Sequence, residues 1–251
     1  MSYSGALTMG LQKIEIGTPV NGGVAQFWKT LGYTNEDSCE LSTDDPESTD
    51  VNAEEADDPI YTIKKGGSMN LTFEVLNPDF DALVLLCGGK VENGKWIAPL
   101  AVPTVEMSIK LTPNIGYVYT FGRCSVAAKV DGKFAKSEPL KVTVNATILV
   151  PTVTQDDKFV ASPLHSLALS AASLAWSSAS ADSTGKTNTL TTDASGIASA
   201  VADVEWATVT YAAKVVTVKV SANAGADRSG NVCVVDSDGN TITFGISQVG
   251  A

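Results

Sequence analysis

The sequence predicts a mainly β protein, with two β-rich domains and one short flanking helix. Three observations predict it. Apolar and polar residues alternate through most regular stretches, as in Met69-Asn70-Leu71-Thr72-Phe73-Glu74-Val75, which is the period of a strand with one buried face. Only one segment changes to the helical period. The last third consists of short runs rich in Val, Thr, Ser and Ala, punctuated by turn residues. With 251 residues, 44% of them apolar, the chain can build ordinary cores, which excludes wholesale disorder.

The elements follow in order. Leu11, Ile14 and Ile16 suggest a short strand, broken by Gly17, Pro19, Gly22 and Gly23. Tyr61–Lys65 precedes a Gly66-Gly67 turn, and the strand Leu71–Val75 comes next. The helix spans Pro78–Cys87. Asn77 is placed to cap it, Pro78 suits its first position, and Asp79 and Asp81 complement its N-terminus. Phe80, Leu83, Val84 and Cys87 recur at helical spacing, and Gly88 can end the helix. Thr104–Leu111 alternates as a strand. Tyr117–Phe121 and Arg123–Val130 read as two strands, the second closed by an Asp131-Gly132 turn. Leu140–Val150 is a long strand that stops at Pro151. Lys110, Lys129 and Lys141 fall on outward positions of these strands and read as a solvated face.

Composition shifts at Pro151, which predicts a domain of residues 1–151, a linker of 152–163 and a second domain of 164–251. The second domain carries seven strand-like runs: Leu167–Trp176, Thr187–Thr192, Ile197–Val201, Ala207–Tyr211, Val215–Ser221, Gly230–Val235 and Asn240–Ser247. Asp236-Ser237-Asp238-Gly239-Asn240 is the turn between the last two. Seven short strands without a helical pattern describe a β-sandwich. Trp206 reads as its core plug, and Trp176 reads as either core or exposed.

Charge is distributed unevenly. No Lys or Arg occurs from Thr30 to Ile63, where Glu36, Asp37, Glu40, Asp44, Asp45, Glu47, Asp50, Glu54, Glu55, Asp57 and Asp58 are found. These eleven carboxylates equal the whole formal charge of −11, since 28 acids less 17 bases leaves 11. Ser, Thr, Pro46 and Pro59 in the same stretch favour an extended loop over a helix. Three readings stay open for residues 36–58: a solvated loop, a calcium site without the usual Asp-rich glycine loop, and a field that repels something negative such as DNA or a membrane. The overall charge argues against a surface that grips nucleic acid.

Enzyme chemistry finds little support. His165 is the only histidine, and the sequence places no orienting acid beside it or its neighbour Ser166. Gly185-Lys186-Thr187 lacks the upstream glycine of a phosphate loop. The acids cluster in one polar stretch, where a general acid would stay wet and ordinary. Cys39, Cys87, Cys124 and Cys233 are scattered and read as free thiols, with no metal-ligand spacing. No cofactor and no metal are expected. Asn70-Leu71-Thr72 and Asn145-Ala146-Thr147 read as chance glycosylation matches on strands. No apolar run approaches the ~18 residues of a membrane span, and Met1-Ser2-Tyr3-Ser4-Gly5 lacks the parts of a secretory leader.

Two resemblances add expectations. Glu205-Trp206-Ala207-Thr208-Val209, the strand Val216–Ser221 ending in Ala222-Asn223, Asp227-Arg228-Ser229-Gly230, and Ile242–Gly250 with Val249 after Gln248 together resemble the BACON domain. That domain is an immunoglobulin-like β-sandwich common in Bacteroidetes and their phages. The likeness covers about residues 164–251 and implies carbohydrate binding, with Trp176 as a possible glycan contact. Residues 1–151 look like the tail tube protein of a long-tailed phage or prophage. The features are the short N-terminal strand, the long acidic segment, the Lys-Gly-Gly turn before Leu71–Val75, the helix ending in Gly88-Gly89-Lys90-Val91, and the final strand Leu140–Val150 before a proline.

This second likeness implies a β-sandwich or barrel-like protomer in hexameric rings that stack around a DNA passage. The acidic residues would face the lumen or the next ring, and the C-terminal domain would project outward. The expected partners are therefore copies of the chain itself, other phage tail proteins, DNA in transit without specific binding, and host glycans, with no membrane insertion. The expected location is the virion, assembled in the bacterial cytoplasm. The alternative is a bacterial carbohydrate-binding adhesion protein that uses the C-terminal sandwich.

Overall fold

The computed structural model describes residues 7–55, 57–101, 103–132, 139–152 and 157–251. Met1–Gly5, read as lacking a leader, residues 133–138 of the expected hairpin connection and residues 153–156 of the expected linker lie outside them. The chain is mainly β. In order, it forms β1 (Lys13–Gly17), β2 (Lys29–Thr30), β3 (Glu40–Thr43), β4 (Glu47–Val51), β5 (Tyr61–Lys65), β6 (Met69–Val75), α1 (Phe80–Cys87), β7 (Lys90–Glu92), β8 (Lys95–Ile97), β9 (Val105–Thr112) and β10 (Tyr117–Asp131). Then come β11 (Lys141–Ile148), β12 (Phe159–Pro163), β13 (Ala168–Leu169), β14 (Ser173–Trp176), β15 (Lys186–Thr191), β16 (Ile197–Ala202), β17 (Ala207–Ala212), β18 (Val215–Val220), β19 (Arg228–Asp236) and β20 (Thr241–Gln248). Among the described residues no helix is long and apolar enough to cross a membrane.

Contacts divide the chain into two compact units: Met1–Thr30 with Met107–Gly122 and Pro151–Ala251, and Leu31–Glu106 with Arg123–Val150. The C-terminal strands therefore share a unit with β1, β2 and most of β9. The expected linker is also not all linker, because its last residues form β12, where Phe159 pairs with Phe121 of β10.

In the first unit, β13 to β20 build two four-stranded sheets, β13-β15-β18-β17 and β14-β20-β19-β16. The run Leu167–Trp176 splits into β13 and β14, and β14 lies parallel to β20. Leu174, Trp176, Leu190, Val216, Val218, Val232, Val234, Phe244 and Ile246 fill one apolar core between the sheets. Trp206 packs only partly against that core, and the Arg228 guanidinium lies over its ring at 4.5 Å. Arg228 also donates to the Gln248 Oε1 and to the Ser221 carbonyl, each at 2.7 Å. Asn223 satisfies the end of the domain, donating to the carbonyls of Ala226 and Val249.

In the same unit, β1 opposes β9 with Glu15 facing Lys110. The alternation of β9 predicts one wet face, but all residues from Met107 to Thr112 are buried. Lys110 is thus no surface lysine, at 1% exposed. Its ammonium sits 4.2 Å from the Trp28 ring centre and donates to the Gly239 carbonyl at 2.7 Å. Trp28 and Ala25 pack with Cys233 and Val235 of β19. Glu15 accepts from the Thr241 hydroxyl at 2.7 Å and pairs with Lys13 at 3.1 Å. The turn 236–240 and the strands around it cover the polar face of β1 and β9, and the lysine there is used as a buried donor.

In the second unit the order is β10-β11-β6-β3. Leu71, Phe73 and Val75 on β6, and Val142, Val144, Ala146 and Ile148 on β11, are buried at alternate positions, as their spacing predicts. β10 is one strand of 15 residues and not two, because Gly122 continues the strand instead of breaking it. Lys129 is exposed and pairs with Asp131, and Lys141 is half-buried and pairs with Glu74 at 2.6 Å. That contact and the Asn35 amide hold the Glu74 carboxyl below its ordinary range.

Helix α1 is where expected, with two corrections. Its cap is Asp79, whose carboxylate accepts from the Ala82 N–H, while the Asn77 side chain instead accepts from the Tyr33 N–H. Its buried residues are Ala82, Leu86 and Cys87, whereas Phe80 is exposed. Moving the cap two residues along from Asn77 accompanies this change of face.

Candidate functional site

The acidic stretch is not a loop but half of a two-stranded ribbon. β3 pairs with β6 and β4 pairs with β5, and the two pairings run on without a shift: Thr43 opposes Met69, and Glu47 opposes Lys65. Between them the Asp44 N–H donates to the Ser68 carbonyl at 2.8 Å, and the Asp44 carboxylate accepts from the Ser68 hydroxyl. Gly67 is required here by close approach, since a Cβ on it would meet the Asp44 carbonyl oxygen at 1.8 Å.

Every residue of β4 and of β5 is exposed. Directly opposed residues share a face, so Thr49, Val51, Tyr61 and Ile63 lie on one side, with Glu47 and Lys65 at its base, and Ser48, Asp50, Thr62 and Lys64 lie on the other. The Thr62 hydroxyl donates to the Asp50 carboxylate at 2.6 Å on the polar side. On the apolar side Tyr61 is 67% exposed and Ile63 53%, with Ile60 beside them. The ribbon is therefore amphipathic, and the chain leaves its apolar face in water. A two-stranded hairpin alone is marginally stable at best. A second small hairpin, β7 with β8, also presents exposed Val91 and Ile97, held at its base by the Trp96 indole donating to the Gly88 carbonyl at 3.0 Å.

All eleven acidic residues of the stretch are exposed. Glu36 and Asp37 precede β3, Glu40 lies on β3, Asp44 and Asp45 join it to β4, Glu47 and Asp50 lie on β4, and Glu54, Glu55, Asp57 and Asp58 occupy the tip. Glu36 and Asp37 line an open cleft with Asn35 and Glu74, and the other nine are strung along the ribbon. Among the described residues, no three His, Cys, Asp or Glu side chains converge as metal ligands.

Trp176, the residue expected to meet a glycan, is 5% exposed and belongs to the sandwich core. Its indole N–H donates to Asp182 at 2.7 Å, and the Gly185 N–H together with that bond keeps the Asp182 carboxyl below its ordinary range. It therefore offers no open ring to a sugar. His165 does have an acid that the sequence hid: its Nε2 lies 2.7 Å from Asp238, across 73 residues of chain. With the His165 N–H donating to the Asn240 side chain, this contact pins the start of the C-terminal segment to the turn 236–240. A cleft of about 480 Å³ adjoins it, with Lys13, Ser166, Thr241 and Ile242 on its walls. The four cysteines are free, and burial pushes Cys39 up to about 11 and Cys124 up to about 12.

The exposed apolar residues that sequence reading did not single out are Val51, Tyr61 and Ile63. The signal existed, as Tyr61-Thr62-Ile63 alternates. Nothing in the sequence says that its apolar side stays uncovered. In comparisons with known proteins, no family model and no curated protein matches the chain.

Proposed function

We propose that this chain is a structural subunit of the tail tube of a long-tailed phage or prophage, assembling with copies of itself into stacked, six-membered rings through which DNA passes. The observation that carries the reading is the bare amphipathic ribbon β4–β5. An apolar strand face held out in water is a liability for a solitary protein and a resource for one that joins others. Covering Val51, Tyr61 and Ile63 is worth about 1.5–3 kcal/mol per side chain. The eleven exposed carboxylates suit a passage that must not adhere to phosphate. The C-terminal sandwich is then an accessory module of the virion surface. A glycan role for it needs a contact other than Trp176, which is buried.

Negative-stain imaging and light scattering of the purified protein test the proposal. Rings or tubes at micromolar concentration are the expected result. A monomer at every concentration and ionic strength overturns it.

A further inference from the structure

We infer that the ribbon is its own partner: β5 of one subunit pairs antiparallel with β4 of the next copy, so that successive ribbons join into one sheet. This rests on the self-assembly reading above and says which edges meet.

Three features of the ribbon point to it. β4 and β5 form a sheet of only two strands, so among the described residues each has one unpaired outer edge. The two strands carry opposite charge. β4 holds Glu47 and Asp50 and no base, while β5 holds Lys64 and Lys65 and no acid. Among the described residues Glu47, Lys64 and Lys65 have no ion-pair partner within the subunit.

Symmetric pairing of two β4 edges, or of two β5 edges, would set like charges opposite one another, whereas β5 against β4 sets them in attraction. That contact is head-to-tail, the kind that closes into a ring or runs on as a filament. Direction agrees, because β4 and β5 are antiparallel and placing β4 of the next copy beside β5 keeps every ribbon pointing the same way. Faces agree as well. In the register the subunit already uses, Val51, Tyr61 and Ile63 of all copies fall on one side and form a continuous apolar belt, which a slip of one residue would break.

Thr49 and Ile63 are opposed in that register, so a thiol at each reports the contact between copies. Two full-length chains are prepared with Cys39→Ser, one carrying Thr49→Cys and the other Ile63→Cys, then mixed and treated with a short bis-maleimide. The expected result is a covalent dimer in the mixture at least tenfold above that from either chain alone. Adding Lys64→Glu and Lys65→Glu to the Ile63→Cys chain is expected to cut that product at least tenfold. Equal cross-linking of the Thr49→Cys chain with itself overturns the head-to-tail pairing, and an undiminished yield after charge reversal overturns its electrostatic basis. Rings without mixed cross-links sink this inference and leave the assembly reading standing. Neither rings nor cross-links sinks both.

Discussion

Strands β18 and β5 have nearly the same pattern and opposite fates. Val215-Val216-Thr217-Val218-Lys219-Val220 alternates, and Val216 and Val218 are fully buried. Tyr61-Thr62-Ile63-Lys64-Lys65 also alternates, and all of it is exposed. The difference lies in the second layer. Across from the sheet that holds β18 stands the sheet β14-β20-β19-β16, with Val232, Val234, Phe244 and Ile246 on the facing side. β5 has only β4 beside it. Alternation therefore says which side of a strand is apolar, and something outside the strand decides whether that side is ever dry. For β18 that something is in the same chain. For β5 the described residues of the chain supply no such layer.

The comparison can be broken at several points. The largest effect is expected in the sandwich. Trp176→Ala opens a cavity in its core and should lower stability by about 3–5 kcal/mol, read by urea unfolding. A loss below about 1 kcal/mol would mean that the core tolerates the hole and that Trp176 is not what holds it.

Lys110 gives the next effect, through pH. Burial lowers its pKa from 10.5 to about 8, with Glu15 opposing the shift. Between those values the unfolded chain holds a proton that the folded chain has released. Stability is therefore expected to rise as pH climbs from about 8 toward 10.5, by at most about 3 kcal/mol. Lys110→Met should flatten that rise, as unfolding midpoints at several alkaline pH values would show. An unchanged slope in the variant would assign the rise to another group.

A smaller effect is expected at the helix. Asp79→Ala removes the cap that Ala82 uses and should cost about 1 kcal/mol, whereas Asn77→Ala disturbs only the Tyr33 contact. The smallest effect on the monomer is expected on the ribbon. Tyr61→Ser should change its stability by no more than about 0.5 kcal/mol while removing assembly seen by light scattering. If Tyr61→Ser instead unfolds the subunit, the ribbon is not as bare as β4 and β5 look, and the contrast with β18 fails.

Much of the fold was legible, for local reasons. β6, β9, β11 and the strands of the sandwich follow side-chain alternation, and α1 follows its helical spacing and its glycine stop. The errors came where distant chain intervened. Lys110 looked outward because β9 alternates, and it is buried because Trp28 and the turn 236–240 close over that face. His165 looked unpartnered because Asp238 lies far along the chain. The acidic stretch looked like a loop because its charges and prolines signal one, and pairing with Tyr61–Lys65 makes it a ribbon.

The sequence by itself determined the β character, the one helix found among the described residues, the free thiols and the concentration of negative charge in one stretch, because each depends on residue type and short spacing. Tertiary structure alone decided which alternating faces are dry, which lysine is buried, and that Trp176 is core. Burial is a property of what lies opposite a side chain, and what lies opposite here often comes from a hundred residues or more away.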